Sequence, residues 1–251
     1  DVAPLVQTAR GLAIGGDGTV VDWLVIMRRL DERDTLERTI AERRLQAWQL
    51  DRLAAALRDF YRRAKPVFLP PSVFLADWRR SLAYNRQVLL DPRLCMPTGL
   101  VSEVDRIQRR FLTRRAGLLA ARMRGRRIVD GHGDLRPEHI WLGDPIRIID
   151  CLEFNPRLRA VDPYDEIAFL SLECERLGAA WAGDYIKRRM TSALGDGAVE
   201  ELSAFYRCHR ATLRARLAIA HLLEPSPRTP EKWRPLARTY LEIAKTEAVR
   251  L

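Results

Sequence analysis

Two carboxylates and two histidines stand out near the middle of the chain. Asp130-Gly131-His132-Gly133-Asp134-Leu135-Arg136-Pro137-Glu138-His139 is followed by Ile148-Ile149-Asp150-Cys151-Leu152-Glu153-Phe154. Transfer of a phosphoryl group needs three things at close quarters: a carboxylate to orient the attacking hydroxyl, oxygen ligands for Mg²⁺ between the phosphates, and positive charge near the γ-phosphate. Mg²⁺ takes carboxylates and waters in near-octahedral geometry. A loop carboxylate, a candidate ligand five residues on, and a second carboxylate at the end of a hairpin supply such a set. Taken alone, His132-Gly133-Asp134 is also a common turn, in which Asp134 merely caps the next residues.

Rigid elements must bring these groups together. Residues 11–14 and 19–27 alternate as two strands around the turn Gly15-Gly16-Asp17-Gly18. Residues 31–64 turn helical, with Leu50, Leu53, Ala54, Leu57, Phe60, Tyr61 and Ala64 on one face. Ser72 is expected to cap a second helix to about Leu90. Ser102, with Asp105 in a capping-box spacing, is expected to open a long helix through about Arg124. Residues 127–129 read as a short strand, and residues 139–142 and 146–149 as a small hairpin over Gly143-Asp144-Pro145. After Asp162-Pro163 the spacing predicts helices near 163–177, 181–193, 198–223 and 231–250. The expected fold class is α+β, mostly α, with a compact polar insert at 127–155 held between helical blocks. Loops on such scaffolds carry functional groups.

His132-Gly133-Asp134 with position 139, then Ile149-Asp150, resembles the catalytic and metal motifs of the aminoglycoside phosphotransferase family, which has a protein-kinase-like fold. Asp162-Pro163 with Asp165-Glu166-Ile167-Ala168 resembles that family's next landmark, a helix start that braces the site. The phrase from Ile149 to Pro156, with Ala168-Phe169-Leu170, looks closest to an uncharacterised bacterial branch whose kinase-like domain is often fused to a P-loop ATPase domain. No G-x-x-x-x-G-K-[ST] occurs in this chain. The resemblance covers roughly residues 1–220 and is most specific from Gly131 to Leu170.

The resemblance implies a transferase that uses ATP or GTP with Mg²⁺ and a small hydroxylated substrate. Asp134 would be the catalytic base and Asp150 a metal ligand. Position 139 would be the second metal ligand, where the family usually has Asn and this chain has His139. Imidazole is a poorer Mg²⁺ ligand than an amide oxygen. Arg136 would lie near the γ-phosphate, and His132 would brace the loop. Acidic residues of the helical lobe, Asp162, Asp165, Glu166, Glu173 and Glu175, are candidates for a cationic acceptor, with Asp162 and Asp165 also readable as structural.

A kinase-like enzyme also needs a small lobe with a Gly-rich loop, a strand Lys and a helix Glu. The four lysines, Lys65, Lys187, Lys232 and Lys245, lie on no early strand. Gly15-Gly16-Asp17-Gly18 is not read as the phosphate loop, because it stands too close to Arg28, and Arg does not reproduce a compact ammonium contact. Residues 1–30 are therefore expected to be the last strands of the small lobe and its hinge, with the backbone of Ile26 and Met27 meeting the adenine edge, and residues 31–251 the helical lobe. On this reading the Gly-rich loop, Lys and Glu lie upstream of Asp1, and the chain alone turns over slowly. A pseudokinase or ligand-binding module is the alternative.

Composition narrows the classes. The chain has 251 residues, 47% hydrophobic and 30% charged, which is globular and excludes wholesale disorder. No apolar run approaches the roughly 20 residues of a membrane-spanning helix. Cys95, Cys151, Cys174 and Cys208 form no C-x-x-C pair, which suits a reducing cytoplasm. The net charge of +10 comes from 39 Arg against 4 Lys, spread along the helices. A diffuse arginine surface attracts phosphate-bearing molecules. No aromatic–basic motif supports a specific nucleic-acid or membrane partner.

Overall fold

Apolar alternation in the first 25 residues builds a three-stranded antiparallel sheet of β1 (Val2–Thr8), β2 (Gly11–Ile14) and β3 (Thr19–Val25). The computed structural model describes residues 1–27, 29–195 and 200–251; Arg28 lies outside them. The strand order is β2-β1-β3, so β2 and β3 both bond to β1 and not to each other. This corrects the hairpin expected of residues 11–14 and 19–27. Pro4 is the reason β1 escapes the pattern, since a proline argues against a central strand. Here it stands next to a bulge between Leu5 and Val6.

The helical stretch expected over 31–64 is broken. A 3-10 turn (Glu32–Asp34) leads to α1 (Leu36–Ala41), whose first turn is capped by the Thr35 hydroxyl accepting from the Arg38 N–H at 3.2 Å. The chain then turns through Arg43 at φ 56° before α2 (Ala47–Arg63). α3 (Pro71–Leu89) starts one residue before Ser72, so Ser72 is not its cap; Pro71 fits the first turn, where its missing N–H is no loss. α4 (Thr98–Arg114) and α5 (Ala116–Arg124) divide the long helix expected from Ser102. Ser102 lies inside α4, and Asp105 takes ion pairs from Arg86 (3.4 Å) and Arg109 (2.8 Å) in place of a capping box.

The insert has the expected short strands. β4 (Val129–Asp130) pairs with β7 (Ala160–Val161), and β5 (Ile140–Trp141) with β6 (Arg147–Ile148), all antiparallel. α6 (Pro163–Arg176), α7 (Ala180–Leu194), α8 (Glu200–Ala220) and α9 (Pro230–Ala248) follow. The start expected for α8 at 198 lies outside the described residues. The class is thus α+β and mostly helical.

α6 is the axis of the core. Every residue from Pro163 to Cys174 is buried, the apolar side chains in the core and the carboxylates of Asp165, Glu166 and Glu173 each met by donors. Ile167, Leu170 and Cys174 pack with α1, α2 and α7; Phe169 and Leu172 pack with α4, α8 and α9; Tyr164 and Ala168 pack with α3, α5 and α8. No described helix is long and apolar enough to cross a membrane.

Candidate functional site

The loop that follows β4 is fixed by its backbone. Gly131 is needed because a Cβ there would meet Val161 Cγ2 at 2.4 Å and Glu166 Oε2 at 2.8 Å. Gly133 adopts φ +85°, where a side chain is strained. Between them, the Glu166 carboxylate accepts the N–H of His132 at 3.2 Å and the N–H of Gly133, and also the hydroxyl of Tyr61 at 2.9 Å. Arg210 closes the other side. It donates to the Gly133 carbonyl at 3.1 Å while forking onto both oxygens of Asp165 at 2.8 and 2.6 Å. Burial pushes the Glu166 carboxyl up from its ordinary value, and the two loop amides oppose that.

On this loop the predicted side chains converge. Asp134 Oδ2 accepts from Arg136 Nε at 2.9 Å. The His139 ring lies between the two carboxylates, with Nδ1 3.9 Å from Asp134 Oδ2 and Nε2 3.2 Å from Asp150 Oδ2. The side chains of residues 134 and 150, sixteen apart in sequence, thereby lie within 4 Å of one imidazole. His139 Nδ1 donates to the Asp134 carbonyl at 2.9 Å. Arg136 is the local tie: besides Asp134 it bonds Glu138, and its Nη2 lies 3.1 Å from His139 Nε2.

His132 serves as a brace. Its Nε2 lies 2.8 Å from the Ile149 carbonyl, its Nδ1 accepts the Asp134 N–H at 3.3 Å, and its carbonyl accepts the Leu152 N–H at 3.1 Å. Those partners fix the neutral tautomer with the proton on Nε2, and burial lowers its pKa. The Ile149 N–H in turn donates to the His139 carbonyl at 3.0 Å. Asp150 follows at φ 63°, a conformation Asp tolerates better than most residues, and leaves its side chain 75% exposed. The hairpin itself is anchored from outside: the Leu142 N–H donates to the Asp34 carbonyl at 2.7 Å, the Trp141 indole to the Asp31 carbonyl at 3.1 Å, and Arg52 to the Gly143 carbonyl at 2.9 Å.

Two expectations need correction. Ile26 continues the β1–β3 ladder: its N–H donates to the Asp1 carbonyl at 2.8 Å and its carbonyl accepts from the Asp1 amino group at 3.0 Å. Its backbone is therefore spent and does not meet an adenine edge; Met27, just beyond, is 79% exposed. The acidic residues offered for a cationic acceptor are mostly interior. Asp162 caps α6 and is forked by Arg122 at 2.6 and 2.9 Å; Asp165 belongs to Arg210, Glu166 to the loop, and Glu173 to Tyr240 at 2.7 Å. Glu175 pairs with Arg207. Buried carboxylates matched to guanidinium partners cannot also receive a substrate.

Sequence reasoning missed Arg210 and Tyr61 as loop-positioning residues, and carried Glu166 only as part of the helix start expected to brace the site. A signal was present. Arg207, Arg210 and Arg214 recur at i, i+3, i+7 on α8, and Glu166 and Glu173 at i, i+7 on α6, among the apolar residues of each helix. Such stripes are tolerated inside only when paired.

For a metal, Asp150 offers an exposed carboxylate and His139 a ring nitrogen beside it. Among the described residues no group of three or more His, Cys, Asp and Glu is assembled for an ion. An ion here would complete its shell with water and phosphate oxygens, as Mg²⁺ commonly does. The oxygen donor fits Mg²⁺; the imidazole does not favour it.

The chain is similar to three uncharacterised mycobacterial proteins, one from Mycobacterium bovis and two from strains of Mycobacterium tuberculosis. Each is 29% identical over 211 residues, or 81% of this chain. The chain spans 42% of the length of these curated relatives. No family model matches the sequence. No solved structure matches it.

Proposed function

We propose that this chain is the helical lobe of a kinase-like small-molecule phosphotransferase, moving the γ-phosphate of ATP or GTP to a substrate hydroxyl. The observation that carries the reading is the convergence of Asp134 and Asp150 on His139, at 3.9 and 3.2 Å. Arg136 holds Oδ2 of Asp134. The second carboxylate oxygen, which has no partner among the described residues, is left to accept the proton of an incoming hydroxyl. Asp150 and His139 would hold a divalent cation, which when bound neutralises charge between the nucleotide phosphates. His132 keeps the loop in register, and Met27 remains the proposed contact for the adenine edge. The chain covers less than half of its relatives, so a fused P-loop ATPase domain stays a proposed partner within the whole protein.

Binding of a non-hydrolysable ATP analogue to the whole protein, with divalent cation present, tests this by calorimetry. Asp150→Asn should weaken binding roughly tenfold or more, the scale of losing a metal contact, with unchanged far-UV circular dichroism. Equal binding by the variant would contradict the assignment. A second reading, a nucleotide-binding module without turnover, is favoured by Arg136, which engages Asp134 and His139 at once. Cation-dependent binding with no phosphate transfer over hours would select that reading.

A further inference from the structure

We propose that the cavity enclosed by the C-terminal ends of α2, α5 and α7 and the start of α6 binds a small phosphate-bearing anion. The proposal does not rest on the phosphotransferase reading.

The cavity measures about 190 Å³. Its floor is buried and mostly apolar, made by Tyr61, Val129, Pro163 and Tyr164. Four arginines stand around it, Arg62, Arg122, Arg126 and Arg127, and none of the described residues lining it is a carboxylate. The planar donor fork of arginine matches phosphate oxygens. The volume is below the roughly 300–1,000 Å³ of sites for drug-sized ligands, so it suits a phosphate group on a small body better than a whole nucleotide.

The four arginines differ in what they have left to offer. Arg122 is forked onto Asp162 at 2.6 and 2.9 Å and lies over the Tyr164 ring at 5.3 Å, so it shapes the wall. Arg127 likewise has interactions within the fold. Arg62 donates one N–H to the Ala193 carbonyl at 3.0 Å and keeps its other donors. The Arg126 guanidinium lies over the exposed Phe68 ring at 5.4 Å. Arg62 and Arg126 are therefore the two that would meet a ligand.

The backbone holds Arg126 in a demanding position. α5 ends in a turn where the Arg126 N–H donates to the Met123 carbonyl at 3.1 Å and the Arg127 N–H to the Arg122 carbonyl at 2.9 Å, with Arg126 at φ 56°. Glycine suits this left-handed position best, yet Gly125 stands one residue earlier at φ −75°. An arginine in such a conformation points to a role for its side chain. Three helix C-termini and one N-terminus meet here, together about one negative charge. The guanidiniums, one of them matched by Asp162, outweigh that. A phosphate monoester, at about −1.5 to −2 near neutral pH, offsets the remainder.

The cavity also backs onto the loop after β4. Tyr61 in its floor donates its hydroxyl to Glu166 at 2.9 Å, and Glu166 accepts the amides of His132 and Gly133. A ligand packed on Tyr61 therefore steadies that loop from behind.

The test is calorimetry on the whole protein, with a chelator present to remove divalent cations and with ribose 5-phosphate, inorganic phosphate and ribose as probes. Ribose 5-phosphate should bind in a one-to-one complex and ribose should not. Tighter binding of ribose 5-phosphate than of inorganic phosphate assigns a phosphate ester; the reverse assigns free phosphate. Arg62→Gln combined with Arg126→Gly should weaken binding roughly tenfold or more, the scale of one lost charge-assisted hydrogen bond. Arg126→Gly alone should weaken it while leaving the melting temperature equal or higher, because glycine relaxes the left-handed turn. Arg79→Gln combined with Arg238→Gln removes the same charge from α3 and α9 and should leave binding almost unchanged. Hydrogen exchange should slow on binding within residues 60–64 and 122–133. Equal losses in the two double variants, no binding of either phosphate at millimolar concentration, or protection confined to other segments overturns the proposal.

Discussion

Asp134 has one oxygen held by Arg136 and sits beside an imidazole that reaches across to Asp150. If that carboxylate takes the acceptor's proton, Asp134→Asn should lower transfer by about 10²–10⁴, the range for a positioned acid–base group. Its melting temperature should stay close to wild type, because the side chain is partly exposed. Gly131→Ala tests the loop itself. The added Cβ would press on Val161 and Glu166, so a loss of roughly 1–3 kcal/mol is expected from urea unfolding, together with weakened nucleotide binding. At this scale the motif residues were readable, because His132, Asp134, His139 and Asp150 are spaced in a recognisable way. The Glu166 clamp and the Arg210 fork were not, because a local pattern does not show which buried carboxylate will meet which backbone amide.

Helices α6 and α8 carry the charges that hold this loop. Arg210→Met would leave Asp165 buried without its partner and remove the bond to the Gly133 carbonyl. Breaking a buried pair in this way costs about 3–5 kcal/mol, readable as a lowered denaturant midpoint. α8 also carries His209, buried against Trp78, with Nε2 2.8 Å from the Ser81 hydroxyl. Burial, with Arg210 and Arg216 nearby, lowers its pKa to about 3. The unfolded chain binds this proton more readily than the folded one, so the stability of the neutral, buried ring is complete above about pH 6.5 and is lost as pH falls towards 3. Each pH unit in that window removes up to about 1.4 kcal/mol. His209→Gln should flatten the acid limb of a stability–pH curve. The elements themselves were largely legible from periodicity and from Pro punctuation, as α6 and α9 show. The breaks at Arg43 and Arg115 were not, because arginine continues a helical pattern equally well on either side of a turn.

For the molecule as a whole, the helical body and the N-terminal sheet differ in kind. Within residues 1–27 only Val6 is buried, and Val2, Leu12, Ile14, Trp23 and Val25 are each more than 60% exposed. Strands with few buried contacts open readily. Amide hydrogen exchange should therefore be fast in β2 and β3 and slowest in α6, with α8 close behind; comparable protection in sheet and core would contradict this description. The sheet's order was illegible because β1 pairs both with β2 and with β3, which starts five residues past the end of β2, a choice the alternation of side chains does not encode.

The central claim is that two carboxylates distant in sequence work on one phosphoryl group. Single-turnover transfer from γ-labelled nucleotide, measured with the whole protein and a panel of hydroxylated small molecules, tests it most directly. Label should move to an acceptor, or slowly to water, in the wild type and fall at least a hundredfold in Asp134→Asn. Transfer that is undiminished in that variant would contradict the account.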